Sequence, residues 1–281
     1  MNRRRSQGMS LIELIITLML VGVVAAMAAK LVAGVVEGQQ GSRDRSTMAM
    51  VADTAVGRVQ DELQGALPNS VRWSSAPSGG SYIEFVPITD AGHYRRAASQ
   101  VLGLPGDVWS PDDPTDNAFD VLGVPLQAPS GAVDLVAGNL GSPDADVYLG
   151  TSRRTGVSVG VGGDHVQFTA AGAMASALSS PRFFLVTTPV SLGCEPNGAS
   201  GFNLVRYSGY GWQATQPAGI GASAFASATR AVLIDGLARC SLGYSASLAN
   251  VGMVNLSIGF GATGSGVQMD LLHQLAVDNT P

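Results

Sequence analysis

Glu13 is a lone acid at the start of a long apolar run, four residues after Met9. If the chain is cut between Gly8 and Met9, the cut frees an α-amine on Met9. On a helix the i to i+4 spacing then brings the Glu13 carboxylate onto the face of that amine. Such a carboxylate can neutralise its own terminus or that of a neighbouring copy packed one step along. Gly8, the residue before the cut, presents no side chain to a protease. An unpaired charge inside a bilayer costs several kcal/mol, so Glu13 marks a function rather than a surface accident.

Other residue sets could do chemistry. Asp112, Asp113, Asp116 and Asp120 crowd a Pro-broken stretch and could chelate Ca²⁺ together with backbone carbonyls, but they lack EF-hand order. They read first as a solvated acidic loop, with calcium the weaker alternative and no other cofactor expected. Gly156-Val157-Ser158-Val159-Gly160 matches the nucleophile elbow by spacing, yet the elbow needs a helix after the serine. A Gly-rich, strand-like run follows instead, so a β segment with an outward serine is expected. Gly259 to Gly264 has the spacing of a dinucleotide loop without a following helix, and reads as a hairpin turn. His93, His165 and His273 are scattered without ligand spacing. No catalytic group converges, and the chain does not read as an enzyme.

These residues need elements to position them. From Leu14 to Val36 the chain is apolar apart from Thr17, Lys30 and small residues, roughly long enough at 1.5 Å per residue to cross a ~30 Å hydrocarbon core. Arg3-Arg4-Arg5 before it and the polar break at Glu37-Gly38-Gln39-Gln40 after it predict a cytoplasmic N-terminus and a translocated remainder. Ala26-Met27-Ala28 also fits an ordinary secretory signal cut near residues 28–29. Glu13 interrupts that reading at its start, and helical patterning continues past the supposed cut. Met48, Val51, Ala55, Val59, Leu63 and Leu67 then form a stripe at spacings of three and four, predicting an amphipathic stem that Pro68 ends. One helix from about Ser10 to Leu67 would be ~85 Å long.

From Ser70 onward short β-branched and aromatic runs alternate with Gly and Pro clusters. Strands are expected at Val71–Trp73, Tyr82–Val86, Asp146–Leu149, His165–Thr169, Arg182–Thr187, Phe202–Tyr207, Ala231–Ile234, Val254–Phe260 and Gln268–Ala276, the last two as a hairpin. Residues 103–145 read as a long surface excursion and 215–228 as a flexible loop. The predicted organisation is therefore residues 1–8 as a leader, 9–36 as a membrane helix, 37–69 as a stem and 70–281 as a head. The fold class is α+β, with the long helix packed on an antiparallel β-rich head. Charged residues make up only 13% and glycines number 36, which argues against a charged disordered tail. Removing the three leader arginines takes the formal charge from −5 to about −8, which gives no support to nucleic-acid binding. Cys194 and Cys240, the only cysteines, fall in the translocated part. They are expected to pair across a loop of 47 residues (194 to 240 inclusive), worth on the order of 3–4 kcal/mol.

The Gly8-Met9-Ser10-Leu11-Ile12-Glu13 segment with its basic leader and apolar run resembles the class III signal of type IV prepilins and type II secretion pseudopilins. The resemblance implies cleavage after Gly8 by a membrane prepilin peptidase, N-methylation of Met9, and a role for Glu13 in fibre assembly. The first mature residue in that family is usually Phe, and Met9 is an apolar substitute. Many major pilins bend their helix with a proline; the first one here after the cut is Pro68, which suggests a minor component. The stretches Glu62 to Arg72, Pro181 to Val186 and Leu271 to Pro281 are similar to the minor pilin-like protein O family of mannose-sensitive haemagglutinin (MSHA) pilus systems. That likeness covers the first 73 residues and parts of the last 100. It implies a pilin-like fold, other pilins and minor pilins as partners through the N-terminal helix, and an inner-membrane assembly platform. It also implies a single-pass inner-membrane stage before incorporation into a fibre at the cell surface. Two alternatives share the stem: a minor pseudopilin of a type II secretion system, and a pilus-tip adhesin for surface glycans. The adhesin would need an open aromatic groove, with Tyr207, Tyr210 and Trp212 as candidates.

Overall fold

The computed structural model describes residues 10–77, 79–101, 104–169, 172–174, 180–198, 201–246, 251–261 and 268–280. The chain forms two compact units, Met1–Met50 and Val51–Pro281. The fold is α+β: one helix, α1 (Leu11–Gln64), and an antiparallel β-rich region.

In the first unit α1 opens with the Glu13 and Leu14 amides donating to the Ser10 carbonyl. Every described side chain from Leu11 to Val36 is exposed, Leu11 by 77%. Thr17 spends its hydroxyl on the Leu14 carbonyl, which lets a polar residue sit in an apolar helix.

The second unit begins with the last turns of α1. Ala52, Ala55, Val56, Val59 and Leu63 are buried, whereas Val51 is 43% exposed. The expected stripe is thus corrected by one position: a 3.6-residue period carries the face from Ala52 through Val56, not through Val51. The helix stops at Gln64, three residues before the expected end. Gly65 to Leu67 leave it because they pair with the head: Leu67 N–H donates to the Val86 carbonyl, Ile88 N–H donates to the Gly65 carbonyl, and Ala66 bridges Pro87.

The strands are β1 (Arg72–Ser75), β2 (Ser81–Phe85), β3 (Ile88–Tyr94), β4 (Ala118–Leu122), β5 (Asp134–Val136), β6 (Arg153–Arg154), β7 (Ser158–Val159), β8 (His165–Gln167), β9 (Arg182–Val186), β10 (Val190–Pro196), β11 (Phe202–Ser208), β12 (Thr229–Leu237), β13 (Arg239–Ala246), β14 (Val251–Gly261) and β15 (Gln268–Asp278). They build a five-stranded sheet ordered β1-β2-β10-β11-β12, a seven-stranded sheet ordered β6-β5-β9-β3-β4-β8-β7, and a three-stranded sheet ordered β13-β14-β15. Cys194 on β10 is bonded to Cys240 on β13, which fastens the small sheet to the five-stranded one. Beside that bond Trp73 Nε1 donates to the Leu242 carbonyl, and the Leu242 amide donates to Ser81 Oγ.

Two expectations are corrected here. Asp146–Leu149 is a turn, not a strand, because Asp146 Oδ1 accepts the amides of Tyr148 and Leu149 and curls the backbone. Residues 103–145 are not a surface excursion. They supply β4 and β5, and bury Trp109, Phe119, Leu126, Val133 and Leu135 against Tyr94, Phe168 and Phe183. Their apolar residues stand singly between Pro, Gly and Asp, so no period betrays them. Residues 215–228 do form a connecting loop, and Ser223–Ser227 within it makes a 3₁₀ turn that buries Phe225. Residues 262–266 of the expected β14–β15 turn lie outside the described residues.

Candidate functional site

Gly8 and Met9 lie outside the described residues, so the site is built from Ser10 onward. Glu13 sits in the first turn of α1, where the free N–H groups and the helix dipole favour a carboxylate. It makes no ion pair or side-chain hydrogen bond among the described residues. Around it the helix surface is exposed and apolar through Val36, apart from Thr17 and Lys30. α1 is the one described helix long and apolar enough to cross a membrane, and none of its apolar window is buried.

The other residues marked in the sequence do not converge. Asp113 Oδ1 accepts from the Thr115 amide and hydroxyl, and Asp116 Oδ2 accepts from the Ser110 amide. Asp120, on β4, faces a separate set: the Asp107 amide at 2.9 Å, His165 Nδ1 at 3.1 Å and the Arg95 guanidinium. Burial opposes the charge on Asp120, yet the Asp107 amide, His165 and Arg95 together hold its carboxyl below the usual range. Among the described residues no three His, Cys, Asp or Glu side chains come close enough to hold a metal ion. Ser158 is exposed on the two-residue β7, which pairs with β8 rather than leading into a helix. His273 lies on β15 and His93 on β3. Tyr207 and Tyr210 are buried around Phe225, and Trp212 lies under the Arg153 guanidinium at 4.0 Å. Tyr207 and Tyr210 are thus core residues, whereas Trp212 is half-buried.

Polar clusters inside the second unit escaped the sequence reading. Glu84 on β2 is fully buried and accepts from Arg72 Nε and from the Tyr210 hydroxyl at 2.8 Å. Burial pushes its carboxyl above the usual range, and Arg72 offsets part of that rise. The remaining Arg72 nitrogens hold the carbonyls of Gln213 and Ala214, and its guanidinium stacks 3.6 Å from the Tyr148 ring centre. Glu195 on β10 accepts from the hydroxyls of Tyr82 and Tyr207 and from Arg230. Burial and the Glu195 hydrogen bond push the Tyr207 phenol up to about 12, and the same causes raise Tyr82 further. Glu84 sits in the otherwise apolar run Tyr82 to Val86, and that interruption was its signal; Glu195, in the mixed segment Val190 to Pro196, had none.

The helix end is held by asparagines. Asn69, in the left-handed region at φ 58°, donates from Nδ2 to the Asn139 carbonyl and from its amide to Asn279 Oδ1. Asn139 in turn donates to the Pro68 carbonyl and accepts from the Val147 amide. Glu62, on the last turns of α1, takes Arg206 of β11 in a paired contact at 2.8 and 3.0 Å. These contacts tie the end of the helix to the head through charge-assisted and fully satisfied bonds.

Residues 3–29 match the family described as the prokaryotic N-terminal methylation motif. That motif defines a class of membrane-anchored structural subunits. It supports the type IV pilin and pseudopilin superfamily, and implies processing by a prepilin peptidase and assembly with other pilins. Comparison with curated proteins and with solved structures finds no match.

Proposed function

We propose that this chain is a minor pilin, a structural subunit that primes or decorates a type IV, MSHA-like fibre. The observation that carries the reading is Glu13 in the first turn of an apolar helix with no cover of its own, inside the segment that matches the methylation motif. Cleavage after Gly8 and methylation of Met9 leave a positive terminus. Glu13 then pairs with the Met9 amine of a neighbouring subunit as helices bundle. In water such a pair is weak, but at the effective dielectric of a protein interior a 4 Å pair is worth about 4 kcal/mol. Before assembly the apolar segment holds the chain in the inner membrane, N-terminus inward and head outward. The lack of proline throughout α1 supports a minor rather than a major subunit.

Replacement of Glu13 by Ala tests this. The variant is expected to be processed normally and to accumulate in the membrane. Its amount in sheared fibres should fall by about tenfold or more, since 1.4 kcal/mol already corresponds to tenfold. Wild-type amounts in fibres would overturn the assignment of Glu13 to assembly.

A further inference from the structure

Open sheets end in strands whose outer N–H and C=O groups lack partners, and folded proteins usually blunt such edges with short strands, bulges, Pro, Lys or a covering element. Most edges of this head follow the rule. β1 has four residues, and β6 and β7 have two each. β12 is longer, but its pairing with β11 shifts register twice. β13 is covered through the disulfide and the Trp73 and Ser81 contacts.

β15 is different. It runs for 11 residues, pairs with β14 in unbroken register along its whole length, and has no other strand partner among the described residues. It contains no Pro, Lys or Arg. Of its two acids, Asp270 is paired with Arg239 and Asp278 Oδ1 accepts the Thr280 amide. Leu272, at its centre, is 68% exposed, and Met269, Leu271 and His273 on the opposite face are only half covered.

The sequence of β15 also complements itself. Two copies laid antiparallel with His273 opposite His273 pair all 11 residues. One face then sets Met269 against Val277 and Leu271 against Leu275. The other sets Gln268 against Asp278, Asp270 against Ala276 and Leu272 against Gln274. On the Met269 face apolar meets apolar, on the other face Leu272 lies against Gln274 and Asp270 against Ala276, and no two acids face each other. Directly opposed side chains of this kind are the unit of sheet stabilisation, and a shift by one residue would move every side chain to the wrong face.

We propose that β15 is a self-association edge: two copies of the chain join through antiparallel β15 strands, with His273 on the two-fold axis, into one continuous six-stranded sheet. This contact is separate from the helix-mediated assembly through Glu13 and does not depend on it.

Cysteine trapping on the full chain in detergent tests the register. Cys194 and Cys240 are bonded to each other, so an added cysteine supplies the one free thiol. His273→Cys is expected to oxidise to a symmetric disulfide dimer. Leu272→Cys and Gln274→Cys should each dimerise poorly alone but cross-link when mixed. A second variant, Leu272→Lys/Gln274→Lys, changes exposed side chains and sets like charges opposite each other twice. It should keep the thermal stability of the head and weaken dimerisation by about tenfold. Association unaffected by that double variant would belong to the apolar helix and overturn the proposal. So would a chain that stays monomeric, or a disulfide that forms with Leu272→Cys and not with His273→Cys.

Discussion

Charged groups in this chain do opposite things according to their surroundings. Glu13 makes no ion pair among the described residues and lies on an exposed apolar stretch of helix. Glu84 and Glu195 are removed from water, but each is surrounded by donors from its own chain and serves the fold. The tyrosines around Glu195 give this a pH signature. In the folded chain the Tyr207 phenol keeps its proton to about 12, whereas an unfolded phenol releases it near its ordinary value of about 10. Between those values the folded state binds more protons, so stability is full below about pH 10 and falls as the pH rises towards 12. Denaturant unfolding across this window should show the loss, and Tyr207→Phe should reduce its slope by roughly one proton. An unchanged slope would place the Tyr207 proton outside the folding equilibrium. The contrast between the acids was half legible in the sequence. Glu13 shows itself because it is the one acid at the start of a long apolar run, where an uncompensated charge is costly. Glu84 and Glu195 stay hidden because their partners, Arg72, Tyr210, Tyr207 and Arg230, are up to 126 positions away and meet only in the sheet.

At the scale of elements, the 3.6-residue period gave the helix and, within one position, its buried face. Its end was misplaced because the pairing of Gly65 to Leu67 with Val86 to Ile88 is a tertiary choice that no local propensity encodes. Strands with apolar runs, such as β9 and β14, were readable. β10 was not, since Ser191, Gly193 and Glu195 break its pattern although nearly all of it is buried. β3 was obscured by Thr89, Asp90, Gly92 and His93 in the same way. The disulfide was legible from cysteine count alone, but its role was not: it connects two sheets rather than closing a surface loop. Replacing both cysteines by Ala should lower unfolding stability by about 3–4 kcal/mol on the chain-entropy scale. Chemical denaturation checks this, and a change below about 1 kcal/mol would mean that Trp73, Ser81 and Leu242 hold the small sheet without it.

At the scale of the molecule, the two units differ in what they do with apolar surface. The first leaves its apolar surface open, as suits a segment covered by lipid or by sister helices. The second buries an aromatic core and satisfies its interior acids, as suits a head facing water. The match at residues 3–29 is to a signal motif of a structural-subunit family. The join between function and sequence therefore rests on what remains after export. Intact mass and N-terminal sequencing of the exported chain decide it most directly. A fibre subunit of this class starts at N-methylated Met9 and keeps Glu13; a chain that starts near Lys30, with Glu13 cut away, would contradict it.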